Sequence, residues 1–250
     1  EVIVTGSRAP LTRGQAARMV TVLEQKDIQA APVQSVNDLL KYAASVDVRQ
    51  RGPIGAQTDI SIRGGNYEQI TILLNGINIC DPQTGHNAFD FPVDINDIER
   101  IEVLEGPAGR VFGTSSLLGA INIVTKQPTQ NNVSAHAEAG SYGYFNGGAS
   151  VGLVSGKWAN SISGNYTRSD GYNRNKAGRL NTDFEGAKAF YQGSYVDQNT
   201  KVSWHAGLSM RDFGSNTFYG TGSDDQFEHT FKSYTALKAD TKCGALHLSP

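Results

Sequence analysis

The sequence predicts a two-part chain, a small α/β unit followed by antiparallel strands of a membrane-spanning β-barrel. Up to Lys126, short apolar runs alternate with charged, helix-like stretches; beyond it the chain turns to Gly, Ser, Asn and Tyr in alternation, with no credible helix. From Val133 onward the β-prone runs are about 9 to 13 residues long, the length a tilted strand needs to cross a bilayer. The links between those runs alternate short and long, as expected when turns on one side of a membrane are tight and loops on the other are extended.

In chain order, "EVIVTGSR" at Glu1 to Arg8 is a β-prone run on a terminus, followed by a polar stretch through Arg18. Met19 to Leu23 predicts a strand leading into a short helix. In "SVNDLLKYAASVDVRQRG", Ser35 is placed to cap a helix, with Asp38 three residues on and Val36, Leu39, Leu40 and Ala43 on one face. Ile60 and Ile62 alternate with polar residues in the next strand, which Gly64-Gly65 ends. "ITILL" and "INI" flank Asn75-Gly76, a strong short hairpin signal because both turn positions tolerate positive φ. "CDPQTGHNAFDFP" is a loop rich in turn formers. "IERIEVLEG" is a strand, Pro107 opens a short helix through Arg110 and Val111, and "GAINIVTK" is the last strand of the unit.

Beyond it, Val133, Ala135, Ala137 and Ala139 alternate with Ser134, His136 and Glu138. Phe145, Ala149, Val151 and Leu153 continue the pattern, then Trp158, Ile162 and Tyr166, then Ala187, Ala189, Tyr191 and Tyr195. Val202, Trp204, Ala206, Leu208 and Met210 make a fifth run, and His229 to Ala239 a less regular sixth. "SGK" near Gly156, "DQNT" at Asp197 to Thr200 and "DTKCG" near Lys242 are the tight turns; Ser169 to Glu185 and Asp212 to Phe227 are the long links. A soluble β-sandwich would carry more Ile, Val and Leu on its core faces and alternate its connections less regularly.

Composition narrows the function. Over 250 residues the formal net charge is −2, so there is no basic footprint for nucleic acid. A hydrophobic content of 38% with 28 glycines suits a half-polar β structure better than a packed globular core. Cys80 and Cys243 lie in opposite halves of the chain and read as unrelated thiols, with neither zinc spacing nor a disulfide framework. No G-x-S-x-G elbow or H-E-x-x-H occurs, and the five histidines are scattered, which argues against an enzyme. "GSYGYFNGG" lies between strands with no helix after it, so it is not a phosphate loop.

"SVNDLLKYAASVDVRQ", "ISIRG", "ITILLNGINI", "IERIEVLEGPAGRVFG" and "GAINIVTK", in this order and spacing, resemble the TonB-dependent outer-membrane receptors. The resemblance implies a plug domain over 9–126, with a small mixed four-stranded sheet and short helices, and about six strands of a 22-stranded barrel over 127–250. Since six strands cannot close that barrel, the chain is expected to be the N-terminal part of a longer protein. Residues 1–8 resemble the TonB box, so Glu1, Val2, Ile3, Val4, Thr5 and Gly6 are the expected contact for the TonB energy-transducing complex, through added-strand pairing.

The resemblance further makes Arg63 and Arg110 plug arginines that pair with barrel-wall carboxylates; the residues themselves leave open that Glu102 or Glu105 satisfies them within the plug. Ligand contacts are expected from Arg49, Arg51, Gln57, Gln83 and His86 in the plug's outward loops. Asp170, Asp183, Asp224 and Asp225 could hold calcium in the long loops, though aspartates in turns are often only turn formers. No other cofactor is expected. Implied partners are outer-membrane lipids, a small metal chelate (a corrinoid or a ferric siderophore) and a surface lipoprotein. Importing the chelate into a Gram-negative cell is the first implied function; binding or signalling without import is the second.

Overall fold

The computed structural model describes residues 3–4, 11–12, 20–50, 58–65, 67–80, 90–106, 118–172, 181–214, 226–243 and 246–248. Two compact units divide between Lys126 and Gln127.

The first unit opens with β1 (Ile3–Val4) and β2 (Leu11–Thr12), which pair antiparallel. Next come β3 (Val20–Leu23), α1 (Gln25–Ala30), α2 (Val36–Leu40), β4 (Val46–Gln50) and β5 (Thr58–Ile62). A turn of 3-10 helix at Tyr67–Gln69 leads into β6 (Ile70–Leu74) and β7 (Ile77–Asn78), and another at Ile95–Asp97 into β8 (Ile98–Glu105) and β9 (Gly119–Thr125). Ser35 caps α2 as expected, its hydroxyl oxygen accepting from the Asp38 N–H at 3.1 Å. Val36, Leu39, Leu40 and Ala43 are all buried.

The mixed sheet runs β3-β8-β9-β6-β7, so it has five strands rather than four. The fifth is the short return arm of the Asn75-Gly76 hairpin, whose turn residues have φ of 52° and 81°. β6 lies parallel to β9 while the other ladders are antiparallel. Every residue of β6 is buried, which explains its unbroken apolar run: a strand covered on both faces has no reason to alternate.

The helix capped by Ser35 is shorter than its expected apolar face, which ran to Ala43. It stops at Leu40, and residues 46–50 form a strand paired with β5 from Val46↔Ile62 to Gln50↔Thr58. Ser45, at φ 68°, breaks the helical path, and the alternation of Val46 and Val48 with Asp47 and Arg49 has the period of a strand. The helix expected after Pro107 lies outside the described residues.

The second unit is one antiparallel sheet in sequence order: β10 (Asn132–Ala139), β11 (Phe145–Ser155), β12 (Trp158–Ser169), β13 (Phe184–Val196), β14 (Thr200–Gly214), β15 (Phe227–Cys243) and β16 (Leu246–Leu248). There are thus seven strands where about six were expected. The sixth extends through Cys243, so "DTKCG" is mostly strand and not turn. The Gly156 turn, with φ 58° at the glycine, joins β11 to β12, and Asp197 to Asn199 join β13 to β14.

Candidate functional site

Two features of the described chain bear on function: a polar knot in the first unit and the two-faced wall of the second. The knot gathers residues far apart in sequence around Glu105, whose side chain is 3% exposed. Ser45 Oγ donates to Glu105 Oε1 at 2.8 Å, Arg63 Nε donates to Oε2 at 2.9 Å, and Arg63 Nη2 lies 2.8 Å from Oε2. Both partners sit in the left-handed region, Ser45 at φ 68° and Arg63 at φ 53°, and the Arg63 N–H donates to the Ser45 carbonyl. Such backbone costs energy and persists where surrounding contacts impose it. Arg63 is therefore held within its own unit by Glu105, one of the two plug carboxylates the residues left open; its side chain is still 52% exposed.

A second buried carboxylate orders the sheet. Glu102 is fully buried, accepts from Asn122 Nδ2 at 2.9 Å through one oxygen and from Arg100 Nε at 3.0 Å through the other. Asn122 Oδ1 in turn accepts the Gly76 N–H at 2.9 Å, linking this cluster to the hairpin turn. Asn75 accepts from the Thr125 N–H through Oδ1 and donates through Nδ2 to Thr125 Oγ1, both at 2.9 Å. Lys126 Nζ donates to the Asn96 carbonyl at 2.8 Å. The chain thus leaves this unit from a firmly anchored strand end. Sequence reasoning missed this network, because neither the Asn122 nor the Thr125 side chain carries a local signal of its partner.

In the wall, cross-strand register separates two faces. Trp158, Tyr195, Val202 and Ala239 form one row; Ile162, Tyr191, Ala206 and Thr235 another; Tyr166, Ala187, Met210 and Phe231 a third. Large apolar side chains on this face stand exposed, Leu237 at 72%. The opposite face carries His136, Asn165, Thr167, Lys188, Gln192 and Ser209, and there Thr167 Oγ1 and Asn165 Nδ2 both donate to Asn146 Oδ1 at 2.9 Å.

Aromatic rings edge the apolar face at both ends. Near the short turns, Trp158 lies 4.8 Å from Tyr195 and 6.0 Å from Trp204 between ring centroids; near the long links, Phe145 lies 6.4 Å from Tyr166. Along β12, Trp158 to Tyr166 spans roughly 27 Å at about 3.4 Å per residue, or about 20 Å along the membrane normal at a tilt near 40°, comparable to the apolar band of outer-membrane barrels. A polar row follows: Arg168, Glu185, Asp212 and His229 are register neighbours, with Tyr166 donating to Glu185 and His229 paired to Asp212.

The remaining expected site residues divide. Ile3 and Val4 form β1, while Glu1, Val2, Thr5 and Gly6 lie outside the described residues. Arg51, Gln57, Gln83, His86, Arg110, Asp224 and Asp225 also lie outside them. Arg49 is on strand β4 and not in a loop, its Nε 2.9 Å from Asp47 Oδ2. Asp170 pairs with Arg168 at 3.0 Å. Among the described residues no group of three or more metal-ligating side chains converges, and Asp183 is not gathered into one. The Cys80 sulfur accepts the Ile72 N–H at 3.2 Å.

Residues 13–120 match the family model of the TonB-dependent receptor plug domain. The chain is 26% identical over 226 residues to the vitamin B12 transporter BtuB of Vibrio vulnificus, a match covering 87% of this chain and 37% of that protein. Its fold is similar to FpvA of P. aeruginosa bound to heterologous pyoverdines (TM-score 0.75, 15% identity, 96% of this chain and 34% of that one). It is also similar to the ferric yersiniabactin uptake receptor FyuA of Yersinia pestis (TM-score 0.70, 18% identity, 92% and 39%). The chain thus spans less than two-fifths of each of these relatives. Residues 13–120 therefore carry the plug domain of the TonB-dependent receptors, followed by a wall that is apolar on one face and polar on the other, in a fold similar to that of solved receptors of this kind.

Proposed function

We propose that the receptor to which this chain contributes its plug and first barrel strands imports a scarce metal chelate by TonB-coupled rearrangement of the plug. The observation that carries this reading is the succession in one chain of a plug-family unit and a lipid-compatible wall. A corrinoid is the first candidate, supported by the sequence likeness to a vitamin B12 transporter; a ferric siderophore is the second, supported by the likeness in fold to siderophore receptors. Glu1 to Gly6 would pair with TonB as an added strand, a mode that depends on main-chain N–H groups. The ligand would meet the loop residues Arg51, Gln57, Gln83 and His86. Any calcium in the long loops would draw first on Asp183, Asp224 and Asp225, since Arg168 already engages Asp170.

The test uses the full-length receptor in cells that otherwise take up neither ligand. Labelled cyanocobalamin and iron-55 siderophore are supplied with and without TonB. Accumulation that requires TonB, and that Val4→Pro abolishes while surface binding persists, is the expected result, because proline removes a main-chain donor. Binding without accumulation in any strain overturns import and leaves a ligand-sensing receptor.

A further inference from the structure

The apolar face of the wall is not smooth. Between β12 and β15 it carries an open depression of about 470 Å³, lined on that face by Ile162, Ala189, Tyr191, Ala206, Leu208 and Ser233. Its origin lies in two adjoining cross-strand rows, Gly164–Ala189–Leu208–Ser233 and Ile162–Tyr191–Ala206–Thr235, in which small side chains sit beside tall ones. The end toward the short turns is closed: the Trp204 ring lies over Gly193, where a Cβ would run into it, and Trp204 Nε1 donates to the Tyr191 hydroxyl at 3.2 Å. Tyr191 in turn donates to Asn160 Oδ1 at 2.9 Å, so this rim is fixed by hydrogen bonds. Toward the long links the low ground continues through Ala187, between Tyr166 and Met210.

We propose that this depression seats one acyl tail of a lipid from the outer leaflet. The depression is continuous with the lipid-facing surface and lies between its two aromatic edges, so the medium that fills it is hydrocarbon. It opens toward the long-loop side, which in outer-membrane barrels is extracellular. A recess with fixed walls gives a tail contacts on several sides that a flat strand surface does not, and dispersion contacts accumulate with the number of atoms touched. The tall, hydrogen-bonded rim also spares the tail the cost of ordering protein side chains on arrival. The inference rests on the wall's place in the outer membrane and is independent of which chelate the receptor imports.

The test is native mass spectrometry of the full-length receptor, purified from outer membranes and washed through a graded detergent series. The parent should retain one outer-leaflet lipid per receptor. Ala189→Phe and Ala206→Phe, which fill the depression, should lower the retained fraction at least tenfold, while Ala135→Phe, on the same face of β10 but away from it, should match the parent. Heat-dependent gel mobility verifies that each variant has a folded barrel. An independent readout is bromine-tailed lipid titrated against the folded parent in detergent, which should quench the emission that Trp204→Phe removes, saturating at one lipid per receptor. Equal retention in parent and filled variants, a parent that holds inner-leaflet phospholipid as readily, or quenching that never saturates would each overturn the proposal.

Discussion

The sheet of the first unit and the wall of the second are both built from strands rich in Ile, Val and Ala, yet they place those side chains in opposite environments. In the plug, β6 and β9 bury nearly every residue, and Ile72, Leu73, Ile121 and Ile123 have no exposure at all. In the wall, Leu153, Leu208 and Leu237 stand exposed on one face while Asn146, Gln192 and Ser209 are buried on the other. A continuous apolar face of this kind would be a liability in water, and in a bilayer it is the surface that solvates the protein. The difference shows that strand composition alone does not identify the inside of a β structure; the register between strands, and the aromatic rings that end the apolar rows, do.

The comparison breaks most sharply at the buried charge. Glu102→Ala leaves Arg100 and Asn122 without their shared buried acceptor, and loss of one partner from a buried ion pair costs about 3–5 kcal/mol. Denaturant unfolding of the full receptor, followed by hydrogen exchange, should show early loss of protection in β8 and β9 with the wall strands unchanged. Unaltered protection in the plug would mean that the Arg100–Glu102–Asn122 cluster is not what orders its sheet.

A smaller effect tests the wall. Leu208→Lys puts a charge on the apolar face near mid-band, where outer-membrane barrels lose about 2–4 kcal/mol, whereas Ser134→Lys on the polar face should cost little. Folding equilibria into phospholipid bilayers compare the two directly. Equal penalties for both would show that the two faces do not meet different solvents.

What could be read in the sequence was what is local. Ser35 with Asp38, Asn75 with Gly76, and the alternation from Val133 onward each state their structure within a few residues, and each is found. The turn at Ser45 that leads into β4 was not legible, because its positive φ goes with a contact to Glu105, sixty residues away. For the same reason the Arg63 partner stayed open between two plug carboxylates and the barrel wall until the chain was folded: Glu105 is 42 residues distant. Wall strands were readable in phase, but neither their ends nor the seventh strand was. The polar run closing β15 reads as a turn unless Thr241 and Lys242 are seen to pair with β16.

The weakest effect, and the one most specific to the wall's short-turn end, is a dependence on pH. Lys157, in the β11–β12 turn, lies 2.8 Å from Asp197 in the β13–β14 turn. The hydrogen bond from Lys157, reinforced by the Gln198 N–H, holds the Asp197 carboxyl below its usual value, and the hydrogen bond to Asp197 holds Lys157 above its own. The depressed acid makes its contribution above the unfolded carboxylate value and loses it as pH falls through the folded one. The raised amine makes its contribution below the unfolded lysine value and loses it as pH rises through the folded one. Protection of the Val196 N–H, which donates to the Lys157 carbonyl, should therefore be flat through neutrality and fall at both extremes. Asp197→Asn should remove the acid limb and return Lys157 toward its ordinary titration, while leaving the Trp158–Tyr195–Trp204 cluster in place. Because both groups face solvent, moderate salt should shrink the whole effect; an acid limb that survives Asp197→Asn would assign it to another carboxylate.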